Sequence, residues 1–550
     1  MQLSAGKHFE MPRFELLLAL ALTFCLQSVL LANQELRSDF QWRYQAPRGA
    51  CEIACFSSET GLMYVTVYGG VDVVDARTGT CVGSLSAEAG YYPTSVAYSQ
   101  GRLAIAWAAH DRRLAGKIEL FELNNSNGIT PSDSISFSAG YLPDMVTFSP
   151  DGRFLLAANE GEPTEDFAFD PEGTITIIDT QAGSIRTSVR QVTFNQFDSQ
   201  REELRTRGIR IFGPSSRHAD RQATVSEDLE PEFIAISSDS KRAWVALQEN
   251  NAIAEIDIPA GHVSMIHSLG MKQFLHAEVP NLDNNKTLWT AGLDASDTDG
   301  GSRIRHWPVV GLYQPDGIAS LRSQGSDYLL TVNEGDPRKY VGFDERCPAG
   351  ELTGRGIALD EHLRARLLLA DDQLGRLEVS MASGDTNGDG DLDELCCFGA
   401  RSFTLWKMDQ ARKPEMVFDS GNDFEWITSQ KAAQRYNADS TAEGIPDQCS
   451  PQRGPEPEGV AVGKVGSSLI AAISLEKTGG VMLYDVTVPA ESTFLEYLPP
   501  LAEDGLLDCA PEGIVMIPAA ESPSNDPMLV VCNEGSGTMT AYTLGWSRDQ

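Results

Sequence analysis

Apolar positions in this chain fall in many short runs, each a few residues long and bounded by Gly, Pro, Asn, Asp or Ser. One signature recurs before them: proline, an acid, one further residue, then Val or Ile. Pro143-Asp144-Met145-Val146, Pro231-Glu232-Phe233-Ile234, Pro315-Asp316-Gly317-Ile318, Pro457-Glu458-Gly459-Val460 and Pro511-Glu512-Gly513-Ile514 carry it, with Pro93-Thr94-Ser95-Val96 and Cys51-Glu52-Ile53 as weaker copies. A fixed signature repeated along a chain marks a repeat architecture. A second apolar run follows each copy (LMYVTVY, RLAIAWAA, FLLAANEG, RAWVALQENN, YLLTVNEG, LIAAISLEK, MLVVCNEG). A third then follows, from GVDVVDA to TMTAYTL, and fourth runs are visible in CVGSLSA, HVSMIHSLG and EMVFDSG.

Runs this short and this evenly punctuated predict an all-β chain. Four per unit, repeated seven times, predict a seven-bladed β-propeller of the YVTN or WD40 kind. The last unit stops after its third run, so the N-terminal segment Phe40–Tyr44 is expected to close the last blade. Residues 33–550 then form one propeller with large insertions in the middle blades. The largest, about 338–401, falls between the second and third strands of blade five. Insertions of that size on a rigid scaffold commonly carry function.

The repeat becomes a spatial prediction through propeller geometry. The loop entering each first strand and the loop leaving each second strand open on the same face. Glu52, Asp144, Glu232, Asp316, Glu458 and Glu512 are therefore expected to ring one mouth of the central channel, with Glu160, Glu249, Glu334, Glu476 and Glu534 on the same face, together a cation-binding face. Carboxylates gathered so closely repel one another unless a cation or hydrogen bonds offset the charge. Hard divalent cations, calcium above all, suit oxygen ligands. A different outcome leaves no ion site: each carboxylate accepts backbone N–H groups from the neighbouring blade. The same loops carry Arg338, Arg401, Arg453 and Lys477. Arg338, Arg401 and Lys477 are candidates for holding an anion through charge-assisted bonds.

A separate signal is Asp385, Asn387, Asp389, Asp391 and Asp393, oxygen ligands at alternate positions with Gly390 at the sixth, as in the first part of a calcium loop. Cys396 stands where that loop needs a bidentate Glu. Asp294–Gly300 is a poorer relative and reads as a turn. Ser-hydrolase, zinc-peptidase, P-loop and dinucleotide signatures are absent from the sequence.

Charge narrows the partners. The formal net charge is −35 from 43 basic and 78 acidic residues, which disfavours nucleic acid and anionic membrane and favours divalent cations, mineral or basic extracellular partners. Lys7, His8 and Arg13 precede the apolar run Leu16–Ala32, so residues 1–32 read as a secretory signal peptide. Secretion, with no transmembrane anchor in the mature chain, is the expected outcome. The sequons at Asn124 and Asn285 fit a glycoprotein. Cys25 falls in the signal and leaves nine cysteines, an odd number, so one thiol at least is free or pairs with another chain.

Several longer stretches (LEPEFIAISSDSKRAWVALQENNAIAEIDI, LLTVNEGDPRKYVGFDE, FGARSFTLW, GPEPEGVAVG, LEKTGGVMLYDV) resemble the choice-of-anchor I family across about Gly49 to Leu544. That family includes mesenchyme-specific cell surface glycoproteins linked to biomineralisation and bacterial proteins labelled alkaline-phosphatase-like. The resemblance implies a secreted or surface-attached propeller. The chain departs from the family pattern at Asp447–Arg453, where a basic run is usual. Two functions follow as expectations. The first is a calcium-associated extracellular binding or matrix protein. The second is a metal-dependent phosphoesterase using the acid ring with Arg338, Arg401 and Lys477, which requires those three side chains to converge.

Overall fold

A computed structural model of the chain describes residues 35–123, 134–180, 189–214, 222–275, 291–408, 413–503 and 505–547. The signal-peptide segment 1–32 and the sequons at Asn124 and Asn285 lie outside the described residues.

Four-stranded antiparallel sheets dominate, and seven of them are found among the described residues. The first holds Ala54–Ser57, Leu62–Val67, Gly70–Asp75 and Thr80–Ser86. The second, third and fourth open with Tyr91–Ser99, Pro143–Phe148 and Pro231–Ile236. The fifth combines Ile318–Ser323, Ser326–Val332, Phe403–Lys407 and Glu415–Asp419. The sixth opens with Pro457–Val465 and the seventh with Pro511–Ile517. Second strands are apolar on both faces because a sheet lies on either side of them. Leu62–Val67, Phe154–Asn159 and Met528–Asn533 are buried at every position. The outer strand Thr80–Ser86 is mostly exposed.

Leu36–Gln45 supplies the seventh sheet's outer strand, pairing antiparallel with Thr538–Trp546 in a register that sets Tyr44 opposite Met539. Trp42 Nε1 donates to Ala76 O at 2.7 Å and Tyr44 OH to Asp72 Oδ2 at 2.7 Å, tying this strand to the first sheet. No sheet closes on itself among the described residues. Packing joins them instead. One apolar cluster sits between each consecutive pair: Tyr64 and Val71 against Val96 and Ile105, for example, and Met63 and Val65 against Ile517 and Val530. Full burial of one such side chain contributes roughly 1.5–3 kcal/mol.

Hydrogen bonds between neighbouring sheets follow the same order. Val146 N donates to Ser95 Oγ at 3.1 Å, Ser320 Oγ to Ile236 O at 2.6 Å, Gly317 N to Glu458 O at 3.1 Å, Ser474 Oγ to Glu512 O at 3.1 Å and Gly513 N to Glu52 O at 3.1 Å. The glycine after the acid is dictated by this contact. A Cβ on Gly459 would stand 1.8 Å from Glu512 O, and one on Gly513 would stand 2.3 Å from Glu52 O.

Residues 333–402, between the second and third strands of the fifth sheet, build a separate five-stranded sheet with Met271–Gln273 and Val310–Leu312. It has its own core, centred on Phe274, Leu293, Leu352, Leu374, Leu377 and Cys397. Arg210 of the fourth sheet's flank anchors it through an ion pair with Glu345 and a 2.9 Å bond to Ser383 Oγ. All nine cysteines of the described residues stand unbridged.

Candidate functional site

The first strands converge on one cavity of about 740 Å³. Glu52, Asp144, Glu160, Glu232, Asp316, Glu334, Asp336, Glu458 and Glu512 line it together with Gln248, Thr94 and apolar residues such as Val146 and Phe233. Five of the seven first strands enter through a local irregularity: the ladder register shifts at Pro93/Ser95, Pro143/Met145, Pro231/Ile234, Pro457/Val460 and Pro511/Ile514. Such a bulge re-aims the residue it contains, here the acid, or Thr94 after Pro93. The residue before the proline is left-handed at Leu142 (φ 47°), Gln314 (41°), Glu456 (48°) and Ala510 (48°), a strained conformation for non-glycine residues and one that recurs at this rim.

The neighbouring sheet's N–H and hydroxyl donors bond the main-chain carbonyls of Glu52, Glu458 and Glu512, not their carboxylates. The acid side chains are therefore left unspent. Glu232 Oε2, Glu458 Oε2 and Glu512 Oε2 are buried and make no hydrogen bond. Burial and neighbouring carboxylates push the acids up from their ordinary range: Glu52 to about 8 by burial, then Asp144 and Glu534; Asp316 to about 7 by burial, then Asp144; Asp144 to about 6 by burial, then Glu162. Glu160, Glu232, Glu334, Glu458 and Glu512 lie well above it, burial being the largest cause for each. Ligand oxygens of Asp316, Glu334 and Glu458 lie within 4.8 Å of one another, and Glu334, Glu456 and Glu476 form a second triad of the same span.

The remaining ring members sit off this cavity. Glu249, pushed up to about 7 chiefly by burial, lines an adjoining chamber with Glu162, Arg338 and Tyr340. Glu476 is held by Lys477, and Glu534 stands close enough to Glu52 and Glu512 to raise both. The second sheet adds no acid, since Thr94 occupies that place and donates to Pro143 O at 2.6 Å. Asp336, Glu456 and Gln248 belong to the site as well, although none of them stands in the repeated signature. Asp336 and Glu456 lie two residues from ring acids, and that proximity was the available signal.

The expected anion site is corrected by the geometry. Arg338, 3% exposed, is committed to Asp228 (2.7 Å) and Glu230 (3.2 Å). Arg401, 1% exposed, bonds Glu425 at 2.8 Å and three main-chain carbonyls. Lys477 pairs with Glu476 and Glu456. The three cations share no partner, because each neutralises a buried acid of its own. Lys477 reaches the ring at Glu476, and so does Arg453, ion-paired with Glu334 (3.2 Å), Asp336 (2.6 Å) and Glu456 (2.7 Å).

In the calcium-like loop, Asp385 accepts from Gly388 N and Gly390 N, Asn387 from Asp389 N, and Asp393 from Thr386 N. Ligand oxygens of Asp391 and Asp393 come within 4.8 Å of one on Asp360, brought alongside by parallel pairing of Ala358–Leu359 with Asp391–Leu392. Cys396, at the position of the missing Glu, is buried in a strand. Asp294 behaves as a structural turn residue, fully buried and accepting from Arg303 N (2.5 Å) and Tyr436 OH (3.1 Å).

The choice-of-anchor I domain, as a family model, matches residues 52–489. Gigasin-3a of Magallana gigas is 27% identical over 188 residues, which is 31% of this chain and 65% of that protein. The mesenchyme-specific cell surface glycoprotein of Strongylocentrotus purpuratus is 24% identical over 351 residues, 58% of this chain and 43% of that one. The chain spans less than two thirds of either relative. Among solved structures, Kuenenia stuttgartiensis hydrazine synthase is 12% identical with TM-score 0.46, covering 91% of this chain and 97% of its own. The β-propeller domain of Myceliophteria thermophila Cps50 (Swd1) is 8% identical with TM-score 0.44, covering 92% and 99%. No helix of the described residues is long and apolar enough to cross a membrane.

Proposed function

Since the chain belongs to the choice-of-anchor I domain family, we propose that it is a secreted, calcium-associated binding or matrix protein acting outside the cell or at its surface. In this reading the seven sheets are the blades of one closed propeller spanning residues 33–550. Leu36–Gln45 completes the last blade, and 338–401 is an insertion into the fifth. A relative named as a cell surface glycoprotein supports the location, and the apolar run within 1–32 is its export signal.

The observation that carries the calcium reading is the set of buried carboxylate oxygens with no partner: Glu232, Glu458 and Glu512. An isolated buried carboxylate costs several kcal/mol, so these acids are protonated or they meet a cation. Calcium takes six to eight oxygen ligands in flexible geometry and fits acids delivered by separate strands. The loop Asp385–Asp393, with Asp360, is a second and more exposed locus for the same ion. With ions in place, the rim presents a calcium-loaded acidic surface to mineral or to basic extracellular partners.

Thermal melting in chelator and in millimolar calcium tests this, because a ligand of the folded state raises its stability by mass action. A rise in the melting temperature with calcium, absent with sodium at equal ionic strength, is expected. An unchanged melt removes the calcium reading.

A further inference from the structure

Two carboxylate triads meet at Glu334. One comprises Asp316, Glu334 and Glu458, and the other Glu334, Glu456 and Glu476. Their surroundings differ in charge. Arg453 lies 3.2 Å from Glu334 Oε1 and 2.7 Å from Glu456 Oε2. Lys477 Nζ lies 3.3 Å from Glu456 Oε2 and 2.6 Å from Glu476 Oε1. The second triad thus already contains two positive charges. Neither Asp316 nor Glu458 pairs with a Lys or Arg among the described residues, and after burial the charges that push Glu458 up are the carboxylates of Glu476, Glu334, Asp316 and Glu512.

Resting on the function proposed above, we infer that the cavity mouth holds one divalent cation between Asp316, Glu334 and Glu458, and that Arg453 and Lys477 are tethered counter-ions which fill the adjoining triad and keep a second ion out.

Three observations support the assignment. Oxygens across a calcium ion stand at most about 5 Å apart, twice the 2.3–2.6 Å bond, and the triad's ligand oxygens all lie within 4.8 Å of one another. Glu334 is also held in place. Gln248 Nε2 donates to its Oε2 at 2.7 Å and Arg453 meets its Oε1, so its carboxylate is oriented before any ion arrives. Independently of the triad, Glu232 is 8% exposed, lines the same cavity, is close enough to feel the charge of Asp316, and its Oε2 has no partner. A buried, unpartnered carboxylate oxygen in a cavity lined by other acids points to a cation as the missing neighbour.

Lys477 is adjacent in sequence to Glu476, and Arg453 lies three residues before Glu456, so both charges come from the loops that carry the second triad. Coulomb repulsion between a guanidinium or ammonium and an incoming divalent ion keeps the sites exclusive.

The test is calorimetric titration of calcium chloride into the chelator-treated full chain, with Asp389→Asn and Asp393→Asn added to silence the surface loop. One calcium per chain is expected. Glu458→Gln should weaken binding roughly a hundredfold or more, since losing even an outer-shell partner of a metal ligand costs up to about a hundredfold. In chelator its melting temperature should equal or exceed the parent's, since one repelling charge is gone, so lost binding is not lost folding. Arg453→Met with Lys477→Met should take up a second ion. Lys477→Gln alone, the milder change, should show weak second-site uptake. No calcium binding by the parent overturns both the functional reading and this site. Unaltered affinity in Glu458→Gln overturns the site alone and leaves calcium to another part of the ring. One ion per chain in both lysine variants overturns the counter-ion assignment.

Discussion

Gly513 donates its N–H to the main-chain carbonyl of Glu52 at 3.1 Å, and a Cβ at Gly513 would stand 2.3 Å from that same oxygen. This one contact joins the last sheet to the first and leaves the Glu52 carboxylate unspent. Gly513→Ala forces the two first strands apart. A loss of roughly 1–3 kcal/mol is expected for such overpacking, read as a lower denaturant midpoint. An unchanged midpoint contradicts the close approach.

The N-terminal strand makes a parallel prediction. Trp42 is 6% exposed, packs in the cluster between the seventh and first sheets, and donates to Ala76 O. Trp42→Ala should cost roughly 3–5 kcal/mol, as large aromatic truncations do. Chemical denaturation monitored by circular dichroism measures it, and a cost near zero would mean that Leu36–Gln45 is dispensable.

Arg401 and Glu425 are both fully enclosed, and Asn437 Nδ2 also donates to Glu425 Oε1 at 3.0 Å. Removing one partner of such a pair strands the other. Arg401→Ala should destabilise by roughly 3–5 kcal/mol, while Arg401→Ala with Glu425→Gln should recover part of the loss. A double variant no better than the single one would contradict the pairing.

The ring also sets a pH dependence. Glu52 is raised to about 8, Glu249 to about 7 and Asp144 to about 6, all chiefly by burial. A carboxyl raised on folding keeps its proton in the native state after the unfolded chain has lost it. Native protein then binds more protons, and stability falls as pH rises. In chelator, the melting temperature should fall between about pH 4.5 and about pH 8, with most of the loss complete at the upper end. Calcium should flatten that slope by substituting for the protons. A melt that rises over this range in chelator would contradict the ring's electrostatics.

Much of this arrangement was legible in the sequence because it repeats. Proline at a strand entrance, the acid beside it and the glycine at Gly317, Gly459 and Gly513 are local features, each forced by one bulge and one close contact. The outer strands Ser134–Ser138, Val189–Thr193 and Thr493–Leu498 escaped because one of their faces meets solvent and carries little apolar pattern. Partnerships escaped for a different reason. Arg338 finds Asp228 across 110 residues, and Asp360 reaches Asp391 and Asp393 only through a two-residue parallel pairing. Nothing local to Arg338 or Arg401 distinguishes a cation reserved for a buried acid from one open to a ligand.

The most direct measurement is anomalous diffraction from crystals soaked in a terbium salt, a heavy stand-in for calcium that takes the same oxygen ligands. A peak is expected inside the cavity, within bonding distance of carboxylate oxygens from Asp316, Glu334 and Glu458, and none between Glu456 and Glu476. A cavity without a peak, in crystals whose surface loop Asp385–Asp393 is labelled, would contradict this assignment.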